Sequence, residues 1–556
     1  MKKTLPIAAA VLSGILLFLS FPPFEIAFLG WVALVPLIIA CAGAAPRRAV
    51  GLGWLAGAVF FLGTLHWLRH VSWLGFIALA FYCALYFIPF ALFISLRRCG
   101  WRSMARLKNL GWMFGAAAVW AASEYLRGML FTGFGWNPLG VSQYAQGSLI
   151  QIAEWGGVYL LSALMVFTNA ASAATLLQYI AGLRSSGYRL HLELMSACFL
   201  VALASCFGLR VLLEKPSTPI TAARSERLAP PLDSASTGRA TPPAEPNRRE
   251  QIQNQSANRP PIRVALIQPN IPEVGNWELA DPEQIYNQLE ELTDFAGHTL
   301  DLDLIIWPET ALPDCVRYSP RSAGLVQRMT SAFGVPLLAG SMDYRWRPDG
   351  EPDFYNGSML FNPRGELLGT YHKQHLVLFG EYIPFEEKIP LVNALTPIGT
   401  SFVAGREATL FKLPDDPRAF SVLICFEDTL PHLARRAARA GALWLVNQTN
   451  DSWFDPDCGS KQHMANAVFR CIETRLPMVR CTNTGITCAI DPKGRVTQTL
   501  AARTEGFQVA EVMPVDASHS PTFYTRFGDL FAQACLLVSV AVFIGAFIQR
   551  KKPDHA

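Results

Sequence analysis

Charge is scarce in this chain. Asp, Glu, Lys and Arg make up 16% of it, against roughly a quarter in ordinary soluble domains. That shortage excludes a protein that is soluble along its whole length. The net charge of +4 is too small for a nucleic-acid footprint, and the basic residues sit in short loops between apolar runs. No glycine-rich phosphate loop is present; Pro492–Arg495 reads as a turn. The 12 cysteines include no CxxC pair, and their spacings match no zinc pattern, so no metal and no cofactor is expected. No internal repeat of about 20–50 residues occurs, which excludes a solenoid.

The apolar residues, 51% of the chain, are concentrated in 5–213 and 528–548. A span needs about 20 mainly apolar residues. Candidate spans are 5–21, 25–43, 49–66, 71–96, 110–131, 149–181, 191–213 and 528–548. The 149–181 run exceeds one span and is expected to tilt or run into the interface. No small-x-small cleavage site separates the first run from the second, so the first reads as an uncleaved span. Lys2 and Lys3, Arg47 and Arg48, the cluster from Arg97 to Lys108, Arg184 and Arg189, and Arg550 to Lys552 mark every second loop. Basic loops face the cytoplasm. Both termini are therefore expected inside and residues 214–527 outside.

Four segments follow: a seven-span part at 1–213, a flexible Pro- and Ser-rich linker at 214–261, a catalytic domain at 262–518, and a last span with a basic tail at 519–556. Within 262–518, strand-like runs such as 263–268, 303–307, 335–341, 367–372 and 420–425 alternate with helical ones. This argues a layered α/β domain.

Three strand ends in one sheet are expected to carry reactive residues. Cys425 ends the apolar run Phe420–Ile424, where α/β sheets place chemistry. A small buried core residue is the alternative. A cysteine nucleophile needs a base or a cation, because little thiolate exists at neutral pH. Glu309 follows Trp307 and Pro308, where desolvation favours a general base; alone it also reads as a helix-capping or loop acid. Lys373 ends 367–372 among aromatic and aliphatic neighbours, where an ammonium can stabilise an oxyanion; alone it also reads as a surface lysine. Glu124 and Arg127, at i and i+3, read as a structural ion pair, and Trp136 and Trp155 as interfacial belt residues.

Glu309, Lys373 and Cys425 in this order resemble the carbon–nitrogen hydrolase (nitrilase) superfamily. The likeness continues in NQTNDSWF (447–454), QHMANAVFRCIET (462–474) and RCTNTGIT (480–487). The apolar part adds LSFPPF (19–24), GWVALVPL (30–37), EYLRGMLFTGFGW (124–136) and GVSQY (140–144). Together these resemble the apolipoprotein N-acyltransferase family from end to end. The resemblance implies an α+β membrane protein: eight transmembrane helices with an exported nitrilase-like αββα sandwich.

It also implies an activity. The sn-1 acyl chain of a phospholipid, usually phosphatidylethanolamine, passes through a Cys425 thioester to the N-terminal amine of a diacylglyceryl apolipoprotein. Glu309 acts as base and Lys373 as oxyanion partner. Glu381 and Glu427 support the lysine and the active-site loops, Trp277 lies on a loop near the acyl path, and Asn356 lines the pocket. The setting implied is a monomer in the bacterial inner membrane with its catalytic domain periplasmic. The sequence departs from the family at Phe426, where tyrosine is usual, at Gly135 in place of proline, and at Asp455 in place of glycine. A membrane-tethered amidase and a non-enzymatic lipoprotein-binding protein are the rival readings.

Overall fold

The computed structural model describes residues 4–96, 106–182, 192–214, 259–271, 281–299, 301–378, 380–382, 401–454 and 456–551. Trp277, Asp455 and nearly all of the expected linker lie outside these residues. The first part is helical: α1 Leu5–Leu19, α2 Val35–Cys41, α3 Pro46–Thr64, α4 Trp73–Ala84, α5 Ile88–Ser95, α6 Arg106–Arg127, α7 Ala153–Gly182 and α8 Leu192–Leu213. Prolines open α1, α2, α3 and α5, in the first turn where a missing N–H costs nothing. Among the described residues, four helices are long and apolar enough to cross a membrane: Trp73–Ser95, Leu149–Tyr179, Leu192–Leu213 and Leu530–Ile548. The long 149–181 run is a short 3-10 turn and then α7, which breaks at Gly156 and Gly157.

The second part is a two-sheet sandwich. One sheet has the order β12-β1-β2-β3-β4-β5 and the other β11-β10-β9-β8-β7-β6. The strands are β1 Ile262–Gln268, β2 Leu304–Ile306, β3 Leu337–Trp346, β4 Pro352–Phe361, β5 Leu367–His372, β6 Phe411–Leu413, β7 Asp416–Ile424, β8 Trp444–Thr449, β9 Met478–Thr482, β10 Thr487–Ile490, β11 Val496–Leu500 and β12 Gly506–Val512. Their inner faces meet through Val264, Leu266, Ile306, Val422, Ile424 and Val446. The helices α9 Pro282–Thr299 and α10 Pro320–Phe333 cover the outer face of the first sheet. The helices α11 Pro431–Ala440 and α12 Lys461–Thr474 cover the second, and α13 Phe523–Phe527 and α14 Leu530–Lys551 follow.

This arrangement corrects one expectation. Glu309 and Lys373 follow β2 and β5 of the first sheet, but Cys425 follows β7 of the second. Glu309 and Lys373 therefore come from one sheet of the sandwich and Cys425 from the other. Runs of hydrophobic residues identify strands but not their partners.

The two parts share one hydrophobic core, in which Trp136, Leu139 and Val158 join Leu430, Phe469 and Ile472. α12 lies at the centre of it. From Gln462 to Thr474 every residue is buried, including Gln462, His463, Asn466, Arg470 and Glu473. Buried polar groups are costly unless bonded. Here Arg470 pairs with Glu473 at 2.8 Å, and Glu473 Oε1 accepts the Val158 N–H at the break in α7 (3.0 Å).

Candidate active site

The site is built where three turns converge. β2 delivers Trp307, Pro308 and Glu309. The backbone there runs so close to Gly340 that a Cβ on Gly340 would lie 2.0 Å from the Pro308 carbonyl. Trp307 is anchored by its indole N–H to Thr293 (2.9 Å) and by Gln448 Nε2, which donates to the Trp307 carbonyl (2.6 Å). Glu309 is thereby held, and it is 7% exposed. Its Oε2 accepts the Asn450 backbone N–H at 2.7 Å, and its Oε1 accepts from Asn356 Nδ2 at 2.8 Å.

Lys373, 2% exposed, lies between two carboxylates. Its Nζ is 3.2 Å from Glu309 Oε1 and 2.8 Å from Glu381 Oε1. Asn356 Nδ2 also reaches Glu381 Oε1 (3.0 Å), so β4 and β5 brace one cluster. Burial pushes the Lys373 ammonium down, but the Glu309 and Glu381 carboxylates more than reverse this and hold its pKa well above the ordinary value.

Cys425 is not the last residue of β7 but the first of the 3-10 turn Cys425–Thr429, at φ +50°. Non-glycine residues hold that left-handed conformation only where neighbours enforce it. Glu427 does part of this. Fully buried, it accepts from the backbone N–H groups of Ile424 (2.7 Å), Gln374 (2.6 Å) and His375 (3.0 Å) and from the Tyr371 hydroxyl (2.7 Å). It thus ties the turn after β7 to the loop after β5. Burial pushes the Glu427 carboxyl up to about 7, against the pull of these donors. The Cys425 thiol is pushed well above its ordinary value by burial and by the Glu309 carboxylate, with Lys373 acting in the opposite sense. The resting sulfur is therefore a thiol beside a carboxylate and an ammonium.

Phe426 stacks on Trp136 (6.1 Å between centroids, 5° between planes), Phe134 (5.8 Å) and His375 (5.8 Å). The ring alone makes these contacts. Trp136 is 1% exposed, not a belt residue: it is buried between the two parts. Gly135 lies so near the turn that a Cβ would meet the Thr429 carbonyl at 2.7 Å. Among the described residues, Glu124 and Arg127 form no ion pair. Glu124 accepts from the Trp120 indole and the Leu139 N–H, both at 2.7 Å, and Arg127 donates to the carbonyls of Phe134 (2.9 Å) and Trp136 (2.5 Å). Cys315, Cys425, Cys471, Cys481 and Cys488 of the sandwich domain are free thiols.

One buried charge cluster escaped the sequence reading. His463 lies 2.8 Å from Asp428 and 2.9 Å from Asp451, and Arg480 bonds Asp428 and, at 2.8 Å, Asn447. His463 Nε2 and Asn447 Nδ2 both donate to the Cys425 carbonyl, at 3.2 and 3.3 Å. The motifs that carry these residues are visible in the sequence, but nothing in their spacing points at the Cys425 turn.

A family model described as Apolipoprotein N-acyltransferase N-terminal domain matches residues 13–171, and one described as Carbon-nitrogen hydrolase matches residues 263–519. The chain is 33% identical to an apolipoprotein N-acyltransferase of Geobacter metallireducens, over 98% of this chain and 96% of that protein. It is 30% identical to one of Azotobacter vinelandii, over 96% and 94% of the two chains. It is 28% identical to one of Brucella melitensis, over 98% and 96%.

Proposed function

The chain belongs to the apolipoprotein N-acyltransferase family, and from that premise we propose that it moves a phospholipid acyl chain onto lipoproteins through a cysteine thioester. The observation that carries the chemistry is the buried Lys373, bonded to both Glu309 and Glu381 beside the Cys425 turn. A carboxylate so placed can take the Cys425 proton, and the ammonium can receive an oxyanion.

In the first half-reaction the Glu309 carboxylate accepts the thiol proton. The sulfur attacks the sn-1 ester carbonyl, and Lys373 N–H groups stabilise the tetrahedral oxyanion. The bond to the glycerol oxygen breaks, Glu309 returns the proton to that oxygen, and lysophospholipid leaves. In the second, the α-amine of diacylglyceryl-cysteine attacks the thioester carbonyl. Glu309 takes the amine proton and passes it to the departing sulfur. The amide is formed and the thiol is restored. Glu381 and Asn356 hold the Lys373 cluster, Glu427 holds the turn, and Trp277 belongs to the acyl path by family likeness.

We also place the sandwich domain on the periplasmic side of the bacterial inner membrane, tethered by eight helices. Supporting this are the four long apolar helices, the basic residues at alternate loops, and the lipid-suited exposure of Phe199 (66%) and Leu537 (72%). Phosphatidylethanolamine as donor and a monomeric state complete the reading. Mass spectrometry of a lipoprotein N-terminus, from cells with and without this protein, tests it. A third acyl chain that depends on the protein is expected; an N-terminus that is triacylated in both, or in neither, overturns it.

A further inference from the structure

α12 carries none of the proposed catalytic groups, yet it packs between the two parts. On α12, two adjacent buried side chains bond in different directions. Among the described residues, the Gln462 side chain bonds the membrane-helical part and Cys458, in the turn just before its own helix. Its Nε2 donates to the carbonyls of Pro22 (3.0 Å) and Thr64 (3.1 Å) and lies 2.9 Å from Cys458 Sγ, while its Oε1 accepts the Trp136 indole N–H (2.7 Å). His463 bonds the catalytic side. Its Nε2 donates to the Cys425 carbonyl (3.2 Å) and its Nδ1 to Asp451 Oδ1 (2.9 Å).

Both ring nitrogens of His463 face oxygens that can only accept, so both carry protons. Asp428, Asp451 and Arg480 are the charged groups packed around this imidazolium. Trp136 links the pair a second time. Its ring lies 5.4 Å from that of His463 and stacks on Phe426, the residue after the nucleophile. The Cys425 backbone is left-handed and needs such support.

We propose that Gln462 and His463 are positioning residues: docking of the membrane-helical part, through the Pro22 and Thr64 carbonyls on Gln462, seats His463 under the Cys425 carbonyl and sets the nucleophile's geometry. This rests on reading Cys425 as the nucleophile. A glutamine suits the role because one amide donates to two carbonyls and accepts an indole N–H at once. A methionine of similar length would fill the space and make none of these bonds.

The test is single-turnover acylation of the full-length protein in detergent–lipid micelles by a fluorescent phosphatidylethanolamine, across a range of lipid concentrations. Gln462→Met should lower the limiting rate of thioester formation about tenfold, with the half-saturating lipid concentration unchanged within about twofold. Trp136→Phe, which removes the indole N–H and keeps a ring, should lower it about threefold. His463→Gln, which keeps one donor, should react faster than His463→Ala. A merely structural role would reduce the amplitude of labelled protein and leave the rate constant of that fraction unchanged, and that result overturns the proposal. So do wild-type rate constants in Gln462→Met and His463→Ala while Cys425→Ala stays unlabelled. Labelling that survives Cys425→Ala removes the nucleophile reading itself. Should Gln462→Met show no cooperative unfolding, Trp136→Phe decides by the same rate constant.

Discussion

Replacing Lys373 with methionine removes a buried ammonium and leaves two carboxylates facing the gap. Nζ lies 2.8 Å from Glu381 and 3.2 Å from Glu309, and the residue is 2% exposed. Methionine fills nearly the same volume, so what is lost is charge and bonds. Removing one side of a buried charge cluster costs roughly 3–5 kcal/mol. Unfolding free energies of domains are about 5–15 kcal/mol, so the variant should fold with a lower midpoint. Burial pushes the lysine's pKa down, but Glu309 and Glu381 hold it well above the ordinary value. A raised folded pKa gives stability that is full below the unfolded value and lost only as pH rises through the folded one. The whole contribution is therefore at stake at neutral pH. For the reaction, losing an oxyanion donor costs about 3–4 kcal/mol, or roughly 10²–10³ in rate. Single-turnover thioester formation with a fluorescent phospholipid reads this directly. Lys373→Arg should also be slow, since a planar guanidinium cannot meet both carboxylates as the ammonium does. A Lys373→Met protein that forms thioester within about threefold of the wild-type rate would refute the oxyanion role.

Other perturbations follow from the same geometry. Because Cys425 sits at φ +50°, Cys425→Gly should be more stable than Cys425→Ala by about 1 kcal/mol in denaturant titration; equal midpoints would remove the strain argument. Burial pulls the His463 pKa down, but Asp428 and Asp451 raise it to about 9. Its stabilisation is full below the ordinary histidine pKa and is lost as pH rises through about 9, a change on the order of 3 kcal/mol. His463→Gln should flatten that limb of the stability–pH curve; an unchanged limb assigns it to another group. Phe426→Ala removes a half-buried ring stacked on Trp136, Phe134 and His375 and should cost about 3 kcal/mol, the low end for a core phenylalanine, whereas Phe426→Tyr should stay within about 1 kcal/mol. A destabilised tyrosine variant would show that the pocket is shaped for phenylalanine.

Much of the domain was legible because its strands are buried runs with sharp ends. The segments Ile262–Gln268, Leu367–His372 and Asp416–Ile424 lie close to where the apolar pattern puts them. β11 is not legible in the sequence because its Thr-Gln-Thr centre is exposed at a sheet edge, where nothing demands an apolar residue. The pairing of strands into two sheets is set by packing and loop paths, which periodicity does not record. An i, i+3 spacing permits Glu124 and Arg127 to pair, yet buried backbone groups at Leu139, Phe134 and Trp136 claim both side chains. Trp136 ends an apolar run, and from sequence a belt position and a buried contact look alike; distant partners such as Phe426 and Gln462, the latter 326 residues away, distinguish them. His463 was invisible for a related reason. A helix dense in polar residues reads as a surface, and α12 is buried on every side.

The claim on which the account depends is that the acyl group rests on Cys425 between the two half-reactions. Mix the full-length protein with phosphatidylethanolamine of defined sn-1 chain and no acceptor, then measure intact mass and map the peptides. The account predicts one added acyl group, on the peptide containing Cys425, released by hydroxylamine and absent in Cys425→Ala. An acyl group on any other residue, or lipoprotein acylation by Cys425→Ala, would contradict it.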